Sequence, residues 1–257
     1  MFTFKDFDIK LDTEIIGRNF IYCEEIDSTN SFLMDEINKI DIDGTVVFAE
    51  RQIHGKGRLD KKWYSTKDQN LTFSILLKKK INEKNINIIN LGTSVAIAVS
   101  LENLFQLKVN LKWPNDVLVN GNKIAGILVE SSVLGNKIDK LVVGIGLNVN
   151  QTMFQGNFSI PPTSIKVETG IEVNRERLLG EILNSFEEVL NRIFVSPETV
   201  LDDWRSRCRM IGEKIIVEDE AGSKTGVFDD IDDQGFLILR TDNNKYEKIH
   251  IGNVSLR

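Results

Sequence analysis

Four segments of the chain carry apolar residues at helical spacing. The first follows a run of N-cap residues at positions 27–30, and the second covers about residues 85–105. The third begins near Asn174, and the fourth begins at Ser196, where Pro197 suits the first helical position. The pattern therefore predicts four helices separated by other structure.

Between these helices the chain alternates apolar and polar residues or runs apolar over short stretches, as β-strands do. The predicted strands cover residues 44–49, 71–77, 107–113, 117–119, 124–130 and 138–147. Asn120-Gly121 separates two of them and is the strongest short signal for a hairpin. Hairpins mixed with separate helices predict an α+β fold, with a mixed, largely antiparallel sheet flanked by helices.

The pattern changes after about residue 208. Short predicted strands at residues 215–217, 227–231, 236–239 and 246–249 alternate with turn residues. Regular short strands of this kind are typical of a small β-barrel. We therefore expect two domains, residues 1–208 and residues 209–257.

Composition narrows the class of protein. A hydrophobic fraction of 41% and a charged fraction of 27% are ordinary for a soluble globular protein of 257 residues. The net charge of -6 disfavours general nucleic-acid binding, which depends on neutralising phosphates with Lys and Arg. The N-terminus has no basic segment followed by an apolar one, and no stretch approaches bilayer-spanning length. We therefore expect a cytoplasmic protein with no membrane partner.

The cysteines and histidines predict no metal site. Cys23 and Cys208 form no spaced framework, and the chain has only two His, so the common zinc spacings are absent. We expect both cysteines to be buried thiols in a reducing compartment.

Two glycine-containing stretches are candidates for ligand contacts. In QIHGKGR, Gly55 and Gly57 would let backbone N–H groups approach an anion, which Lys56 and Arg58 would neutralise. The stretch has no Gly-Lys-Ser/Thr triplet, and taken alone it favours a flexible solvated loop. The second stretch, GIGLN at residues 144–148, lacks the third glycine and the helix of a dinucleotide fingerprint, so we reject that fold.

The predicted hairpin at residues 111–130, LKWPNDVLVNGNKIAGILVE, carries a polar cluster that a core strand pair does not need. Lys123 begins an apolar strand near the rim of the core, where a charge is costly unless it is paired. An anionic ligand would pair it. A lysine at an exposed hairpin end is the alternative, and this motif alone leaves both open.

Taken together, these segments resemble biotin protein ligases over most of the chain and in the same order. The motifs are Asp27-Ser28-Thr29-Asn30, the glycine loop at residues 54–63, Lys112-Trp113-Pro114-Asn115-Asp116, Lys123-Ile124-Ala125-Gly126-Ile127-Leu128 and GIGLN at residues 144–148. The resemblance implies a class II synthetase-like catalytic domain of the biotin and lipoate ligases, followed by a small SH3-like β-barrel.

The glycine loop departs from the family pattern Gly-Arg-Gly-Arg-x-Gly-Arg at three positions. Lys56 replaces the first Arg, Asp60 the third Gly and Lys61 the last Arg. Charge is kept at the two lysines without the planar guanidinium, and Asp60 adds a negative charge near the expected ATP phosphates. Arg58 is retained, and the resemblance implies that it helps to hold the activated intermediate.

The resemblance implies a two-step ligase with ATP and Mg²⁺ as cofactors and biotin as substrate. The carboxylate of biotin attacks the α-phosphorus of ATP, giving biotinyl-5′-AMP and pyrophosphate. A lysine of the biotin carboxyl carrier domain of a carboxylase then takes the biotinyl group and releases AMP. The resemblance is also compatible with a homodimer.

The resemblance also implies the residues of the site. The catalytic residues would be Lys123, Arg58 and Asp116, with Lys123 bridging the carboxylate and the α-phosphate and Asp116 a candidate ligand of Mg²⁺. The residues expected around biotin are Ser28, Thr29, Asn30, Gln52, Gly55, Lys56, Gly57, Arg58, Lys123, Gly126 and Gly146. Those expected around ATP are Lys56, Arg58, Lys61, Trp63, Asn115, Asp116, Lys123 and Asn148. Trp63 is either an adenine-stacking ring or a core aromatic.

Two other hypotheses stand beside the biotin ligase. A lipoate or octanoate ligase or transferase would share the fold, but the complete KWPND and Ser-Thr-Asn motifs favour biotin. A non-catalytic binding module is supported by the altered loop, and the retention of Lys123, Asp116 and Arg58 argues against it. The 27 residues before Ser28 are too few for the winged helix-turn-helix of repressor-type members, so we expect no DNA-binding role.

Overall fold

The computed structural model describes residues 2–59, 61–79, 81–219 and 222–256. Asp60 lies outside the described residues, so the effect expected of its negative charge stays a prediction.

A sheet of seven strands forms the centre of the molecule. The strands are β1 Phe20–Ile26, β2 Val46–Gln52, β3 Leu71–Leu77, β4 Val109–Lys112, β5 Asp116–Val119, β6 Asn122–Leu134 and β7 Lys137–Leu147. They lie in the order β1-β2-β3-β7-β6-β5-β4. Strands β1 and β2 are parallel, and the other neighbours are antiparallel. The expected mixed, largely antiparallel sheet is therefore confirmed.

Helices cover both faces of this sheet. They are α1 Phe4–Asp8, α2 Thr29–Met34, α3 Glu83–Phe105, α4 Ile165–Thr169, α5 Arg175–Val195 and α6 Pro197–Arg207, with a 3-10 turn at Glu36–Asn38. Helix α2 packs on the face that carries Val47, Leu76 and Val142, whereas α3 lies over the larger core on the other face. The four predicted helices are confirmed as α2, α3, α5 and α6. Helices α1 and α4 have only five residues each, too few to leave a periodic pattern.

Helix α3 corrects one expectation about the sequence. It has 23 residues and is long and apolar enough, by length and composition alone, to cross a membrane. Its most apolar window is 67% buried inside the protein, where α3 packs against α5, α6 and the sheet. These are the surroundings of a core helix. The apolar composition of α3 is therefore explained by its packing inside the protein.

The C-terminal residues form a second, antiparallel sheet. Its strands are β8 Lys214–Asp219, β9 Gly222–Ile231, β10 Leu237–Thr241, β11 Tyr246–Ile249 and β12 Asn253–Leu256, in the order β11-β10-β9-β8-β12. The four predicted strands are present, and β12 was missed. The indole Nε1 of Trp113 donates to the carbonyl of Gly235 at 3.1 Å, which joins the polar hairpin to this sheet. The division at residues 208 and 209 stays a prediction.

Candidate active site

All of the residues that the sequence predicts for the site line one cavity of about 1870 Å³. A pocket for one drug-sized ligand has roughly 300–1,000 Å³, so this cavity has room for two substrates. The predicted residues along it are Ser28, Thr29, Asn30, Gln52, Gly55, Lys56, Gly57, Arg58, Lys61, Trp63, Asn115, Asp116, Lys123, Gly126, Gly146 and Asn148.

One end of the cavity is a wall of uncharged polar groups at the start of α2. Ser28 caps this helix, because its Oγ accepts from the backbone N–H of Ser31 at 3.4 Å. The backbone N–H of Thr29 donates to Gln52 Oε1 at 2.7 Å, and Thr29 Oγ1 lies 3.0 Å from the same oxygen. Thr29 Oγ1 also lies 2.6 Å from Ser74 Oγ on β3. The short helix and two strands thus converge on one hydroxyl group.

The amide of Asn30 is held entirely by protein groups. Its Nδ2 donates to Glu130 Oε2 at 2.7 Å and to the carbonyl of Leu128 at 3.2 Å. Its Oδ1 accepts from Ser74 Oγ at 2.5 Å. Asn30 is only 3% exposed, so in this structure it supports the wall of the cavity.

The glycines of the GIGLN stretch admit side chains from other segments. A Cβ atom at Gly144 would lie 2.2 Å from Asn30 Oδ1, and one at Gly146 would lie 2.3 Å from the Trp63 ring. Contacts between heavy atoms this short do not occur in folded proteins. Both positions therefore need glycine, and the space beside Gly146 is occupied by the indole.

Backbone hydrogen bonds link the two sides of the glycine loop. The N–H of Gly57 donates to the carbonyl of Lys61 at 2.7 Å, and the N–H of Trp63 donates to the carbonyl of Gly55 at 2.9 Å. A Cβ atom at Gly55 would lie 2.4 Å from the Trp63 carbonyl, so the close approach of the two loop ends requires glycine. The loop places Lys56 and Lys61 along the cavity.

Arg58 reaches from this loop toward the C-terminal sheet. Its Nη1 lies 3.5 Å from the carbonyl of Gly252. Burial lowers the pKa of the Arg58 guanidinium, and the nearby Asp116 carboxylate raises it. The guanidinium remains cationic, because its ordinary pKa is far above neutrality. Arg58 therefore brings a half-buried positive charge to the junction of the two sheets.

Lys123 and Asp116 form the closest ion pair of the cavity. Lys123 Nζ lies 2.5 Å from Asp116 Oδ1, and Lys112 Nζ lies 3.8 Å from Asp116 Oδ2. The register of β5 and β6 shifts after Val117, so that Asp116 faces Gly126 while Lys123 faces Leu118. This bulge brings Lys123 to the face of the hairpin that carries Asp116.

Lys123, through its main chain, and Asn148, through its side chain, are both bonded to the segment 161–163. The N–H of Lys123 donates to the carbonyl of Pro161 at 2.8 Å, and its carbonyl accepts from the N–H of Thr163 at 2.9 Å. Asn148 Nδ2 donates to the carbonyl of Thr163 at 2.9 Å, and the Asn148 side chain is buried. On the other side of the hairpin, Asn115 Nδ2 donates to the carbonyl of Ile127 at 2.7 Å.

The charged end of the cavity is strongly cationic. Burial lowers the pKa of Lys112, Asp116 raises it, and the charges of Lys123, Lys61 and Arg58 lower it further. Asp116 is thus one carboxylate among four neighbouring cations, although the whole chain carries a net charge of -6. A cationic cleft with buried walls attracts an anionic ligand such as a triphosphate.

Trp63 lies between the two ends of the cavity. Its ring contacts Gly126 and Gly146, and the centre of the ring is 5.9 Å from Lys123 Nζ. Its Nε1 is buried and has no hydrogen-bond partner among the described residues. A buried N–H without a partner is costly. Trp63 therefore packs against the sheet, and its indole N–H is a donor that no described residue uses.

The sequence-based prediction did not include three residues that line the cavity or support its wall. Lys112 begins the KWPND motif, but it is not among the residues predicted to be catalytic or to bind biotin or ATP. Ser74 interrupts the apolar strand LTFSILL with a fully buried hydroxyl, and Glu130 ends the strand IAGILVE with a charge. A hydroxyl at a core position of a strand is the signal that could have found Ser74, because such groups need partners when buried. A carboxylate directly after an apolar run is the weaker signal for Glu130.

Comparison with known proteins agrees with this geometry. Residues 22–148 match the Biotin/lipoate A/B protein ligase family, and residues 210–257 match the Biotin protein ligase C terminal domain. The chain is 30% identical over 251 residues to the bifunctional ligase/repressor BirA of Bacillus subtilis, covering 96% of this chain and 76% of that protein. It is 32% identical over 202 residues to the biotin–[acetyl-CoA-carboxylase] ligase of Paracoccus denitrificans, covering 76% of this chain and 83% of that protein.

A solved structure is similar over nearly the whole chain. The biotin protein ligase of Aquifex aeolicus, in complex with biotin and ATP, superposes with a TM-score of 0.81 at 31% sequence identity. The similarity covers 93% of this chain and 99% of the Aquifex chain.

Proposed function

The chain belongs to the biotin protein ligases and is an ATP-dependent enzyme of that type, and we propose that it activates biotin as biotinyl-5′-AMP in the cavity described above. The observation that supports this proposal is that one end of the cavity is polar and uncharged while the other end is cationic. An uncharged polar wall at Thr29 and Gln52 suits the ureido ring of biotin, and the cationic end at Lys123 suits the triphosphate of ATP.

The first step joins two anions that repel each other. The carboxylate oxygen of biotin attacks the α-phosphorus, the bond to the β-phosphate oxygen breaks, and pyrophosphate leaves. Negative charge then concentrates on the oxygens around phosphorus. We assign Lys123 to this charge, since a fixed cation directed at developing charge is a large source of catalysis. Asp116, 2.5 Å from Lys123 Nζ, would hold the ammonium group until the substrates take its place.

The remaining cations are assigned to the other phosphates. Lys56 is exposed, Arg58 is half-buried, and the side chain of Lys112 is largely buried. The cations nearest the hairpin are therefore the least exposed to water. Lys61 is near enough to Lys112 to affect its titration. Together these groups would neutralise the pyrophosphate as it leaves.

The donors at the hairpin fit a magnesium ion bound together with ATP. Asp116 offers a carboxylate, and Asn115 offers its amide oxygen, because Asn115 Nδ2 is bonded to Ile127. Mg²⁺ is commonly held by one or two carboxylates with phosphate oxygens and water. Within the described ranges no group of three or more His, Cys, Asp or Glu could hold a metal without the substrate. When bound, the ion would neutralise phosphate charge.

The second step transfers biotin to a protein. The acceptor is a carrier of a carboxylase, as the name of the Paracoccus denitrificans relative implies. We propose that one lysine of its biotin carboxyl carrier domain attacks the mixed anhydride. The amide bond forms as the bond between the acyl carbon and the phosphate oxygen breaks, AMP leaves, and the amine proton passes to water. Closing the glycine loop over the cavity would keep water from the anhydride during this exchange.

We further propose that the enzyme works in the cytoplasm, without a nucleic-acid or membrane partner. The net charge of -6 supports the absence of a nucleic-acid partner. A homodimer is compatible with the resemblance and is tested directly by light scattering on the purified protein.

Exchange of pyrophosphate into ATP tests the proposed activation step. The purified protein is incubated with ATP, Mg²⁺ and labelled pyrophosphate, together with biotin, lipoate, octanoate or no acid. Exchange that depends on biotin alone supports the proposal. Exchange with lipoate or octanoate in place of biotin would assign the protein to the related ligases. A folded protein that gives no exchange with any acid would be a binding module without turnover.

A further inference from the structure

We propose that Glu130 fixes the direction of a buried hydrogen-bond relay, and that this relay makes Thr29 Oγ1 an acceptor for an N–H group of the ligand. The relay consists of Glu130, Asn30, Ser74 and Thr29. The proposal rests on the proposed function, because the N–H group is assigned to the ureido ring of biotin. Glu130, Asn30 and Ser74 are positioning residues that act on the ligand through Thr29.

The carboxylate of Glu130 decides how the amide of Asn30 is oriented. If the amide were turned over, its oxygen would lie 2.7 Å from Glu130 Oε2 and 3.2 Å from the carbonyl of Leu128. Three acceptors would then meet without a proton between them. Asn30 Nδ2 therefore faces Glu130, and Asn30 Oδ1 must face Ser74. Gly144 provides the space, since a Cβ atom there would lie 2.2 Å from that oxygen.

The oriented amide decides where the single proton of Ser74 goes. Asn30 Oδ1 carries no proton and lies 2.5 Å from Ser74 Oγ, so Ser74 donates to it. Ser74 Oγ then has no proton for Thr29 Oγ1, which is 2.6 Å away, and must accept from it. Gln52 Oε1 is the competing acceptor for the Thr29 proton, but it is farther away, at 3.0 Å. The shorter contact takes the proton, because two oxygens this close repel each other without one.

The consequence is a matched pair of groups at the end of the cavity. Because its proton lies in the hydrogen bond to Ser74, Thr29 Oγ1 offers only lone pairs to a ligand. Gln52 Oε1 accepts from the backbone N–H of Thr29 at 2.7 Å, which turns Gln52 Nε2 away from that bond. The hydrogen bonds of the described residues leave this Nε2 without a partner. An acceptor beside a donor complements an N–H beside a carbonyl, as in a cyclic urea, and gives nothing to a dithiolane or an alkyl chain.

Glu130 also links the relay to the glycine loop. Its second oxygen, Oε1, lies 3.9 Å from Lys56 Nζ, and its side chain is 31% exposed. Glu130 can therefore be replaced without removing a fully buried group. Glu130→Gln keeps an oxygen that can accept from Asn30, whereas Glu130→Leu removes every acceptor at this position.

Binding of isosteric probes tests the direction of the relay. The probes are biotin and its two cyclic carbamate analogues, in each of which an oxygen replaces one ureido N–H. Wild type should bind one of the two carbamates at least about 100-fold more weakly than biotin, because that ring oxygen meets the lone pairs of Thr29. In Ser74→Ala the Thr29 hydroxyl loses its nearest acceptor and can rotate toward the ligand. In Glu130→Leu the Asn30 amide keeps only the longer bond to the carbonyl of Leu128, so its orientation, and with it the direction of the relay, is no longer fixed by a carboxylate. The discrimination should then fall to less than about 10-fold, with biotin itself weakened by about 10-fold.

Conservative and compensating variants separate this role from a structural one. Glu130→Gln should keep most of the discrimination. Asn30→Asp places a carboxylate against Glu130 and should weaken biotin, and the double variant Asn30→Asp/Glu130→Gln should recover much of that loss. Circular dichroism of each variant verifies folding. If Ser74→Ala does not fold, the partly exposed Glu130→Leu gives the same test.

The possible outcomes are distinct. Equal weakening of biotin and both carbamates in Ser74→Ala and Glu130→Leu would overturn the relay, because a merely structural loss does not depend on one N–H. Equal binding of biotin and both carbamates by wild type would also overturn it. Failure of wild type to bind biotin at all would instead overturn the proposed function.

Discussion

Lys123 Nζ and Asp116 Oδ1 lie 2.5 Å apart across the β5–β6 hairpin, and the same carboxylate lies 3.8 Å from Lys112 Nζ. Two lysines thus share one anion in the absence of substrate. The side chain of Asp116 is 13% exposed, so little water screens these charges. An anionic substrate entering the cavity can take over part of the role of Asp116, which is a physical basis for binding ATP beside this hairpin.

Lys123→Ala should lower biotin-dependent pyrophosphate exchange by at least about 100-fold, because the variant loses the cation assigned to the reacting oxygens. The rate of exchange at saturating biotin and ATP measures the effect. Lys166→Ala is the matched control, since Lys166 pairs with Glu172 at the surface and should leave the rate within about two-fold. Near-normal exchange in a folded Lys123→Ala variant would contradict the proposed mechanism.

Arg58→Gly should release biotinyl-AMP into solution. The half-buried guanidinium lies 3.5 Å from the carbonyl of Gly252, and its removal opens the junction between the loop and the C-terminal sheet. Free biotinyl-AMP reacts with exposed lysines, so serum albumin added to the assay should become labelled. Arg240→Gly, which removes an arginine paired with Asp229, should leave albumin unlabelled. If Arg58→Gly still labels only the carrier, Arg58 does not retain the intermediate.

The buried ion pair of Glu50 on β2 and Arg175 on α5 should contribute strongly to the free energy of unfolding. Arg175 Nη1 lies 2.7 Å from Glu50 Oε2 and 3.0 Å from the carbonyl of Asn70, and the Glu50 side chain is fully buried. Arg175→Met leaves the carboxylate unpaired and should lower the free energy of unfolding by roughly 3–5 kcal/mol. Urea denaturation should show a smaller loss for the double variant Glu50→Leu/Arg175→Met. Equal losses would mean that the unpaired charge is not the cause.

Cys208 should make stability depend on pH in alkaline solution. Burial raises the pKa of its thiol from 9.0 to about 11, so the folded protein disfavours the thiolate. This contribution to stability is complete below pH 9 and is lost as the pH rises through about 11. Wild type should therefore lose roughly 2–3 kcal/mol more than Cys208→Ala over this range. Urea denaturation at each pH measures the free energy of unfolding of both proteins. Equal losses in wild type and Cys208→Ala would mean that the Cys208 thiol is not the cause.

Local signals made much of the fold predictable. The predicted strand at residues 71–77 matches β3, Leu71–Leu77, because apolar side chains run through it between polar flanks. Asn120 and Gly121 adopt positive φ angles of 51° and 80°, as the hairpin prediction requires. Asn174 caps α5 through its side chain. Each of these features depends on residues that are close together in sequence.

Long-range relations were not predictable from pattern. The bulge after Val117 decides that Lys123 faces the side of Asp116, and no local signal gives its position. Asn30 meets Glu130 from 100 residues away, so no local pattern could show which residue holds the Asn30 amide. The role of Gly146 also depended on a distant partner, since the indole of Trp63 fills the space beside it.

The proposed biotin ligation is tested most sharply by the mass of an isolated biotin carboxyl carrier domain after incubation with the enzyme, ATP, Mg²⁺ and an equal mixture of biotin and lipoate. We expect one biotinyl group on one lysine, no lipoyl product, and no product without ATP. A carrier that gains lipoate in preference to biotin, or remains unmodified beside a folded enzyme, would contradict it.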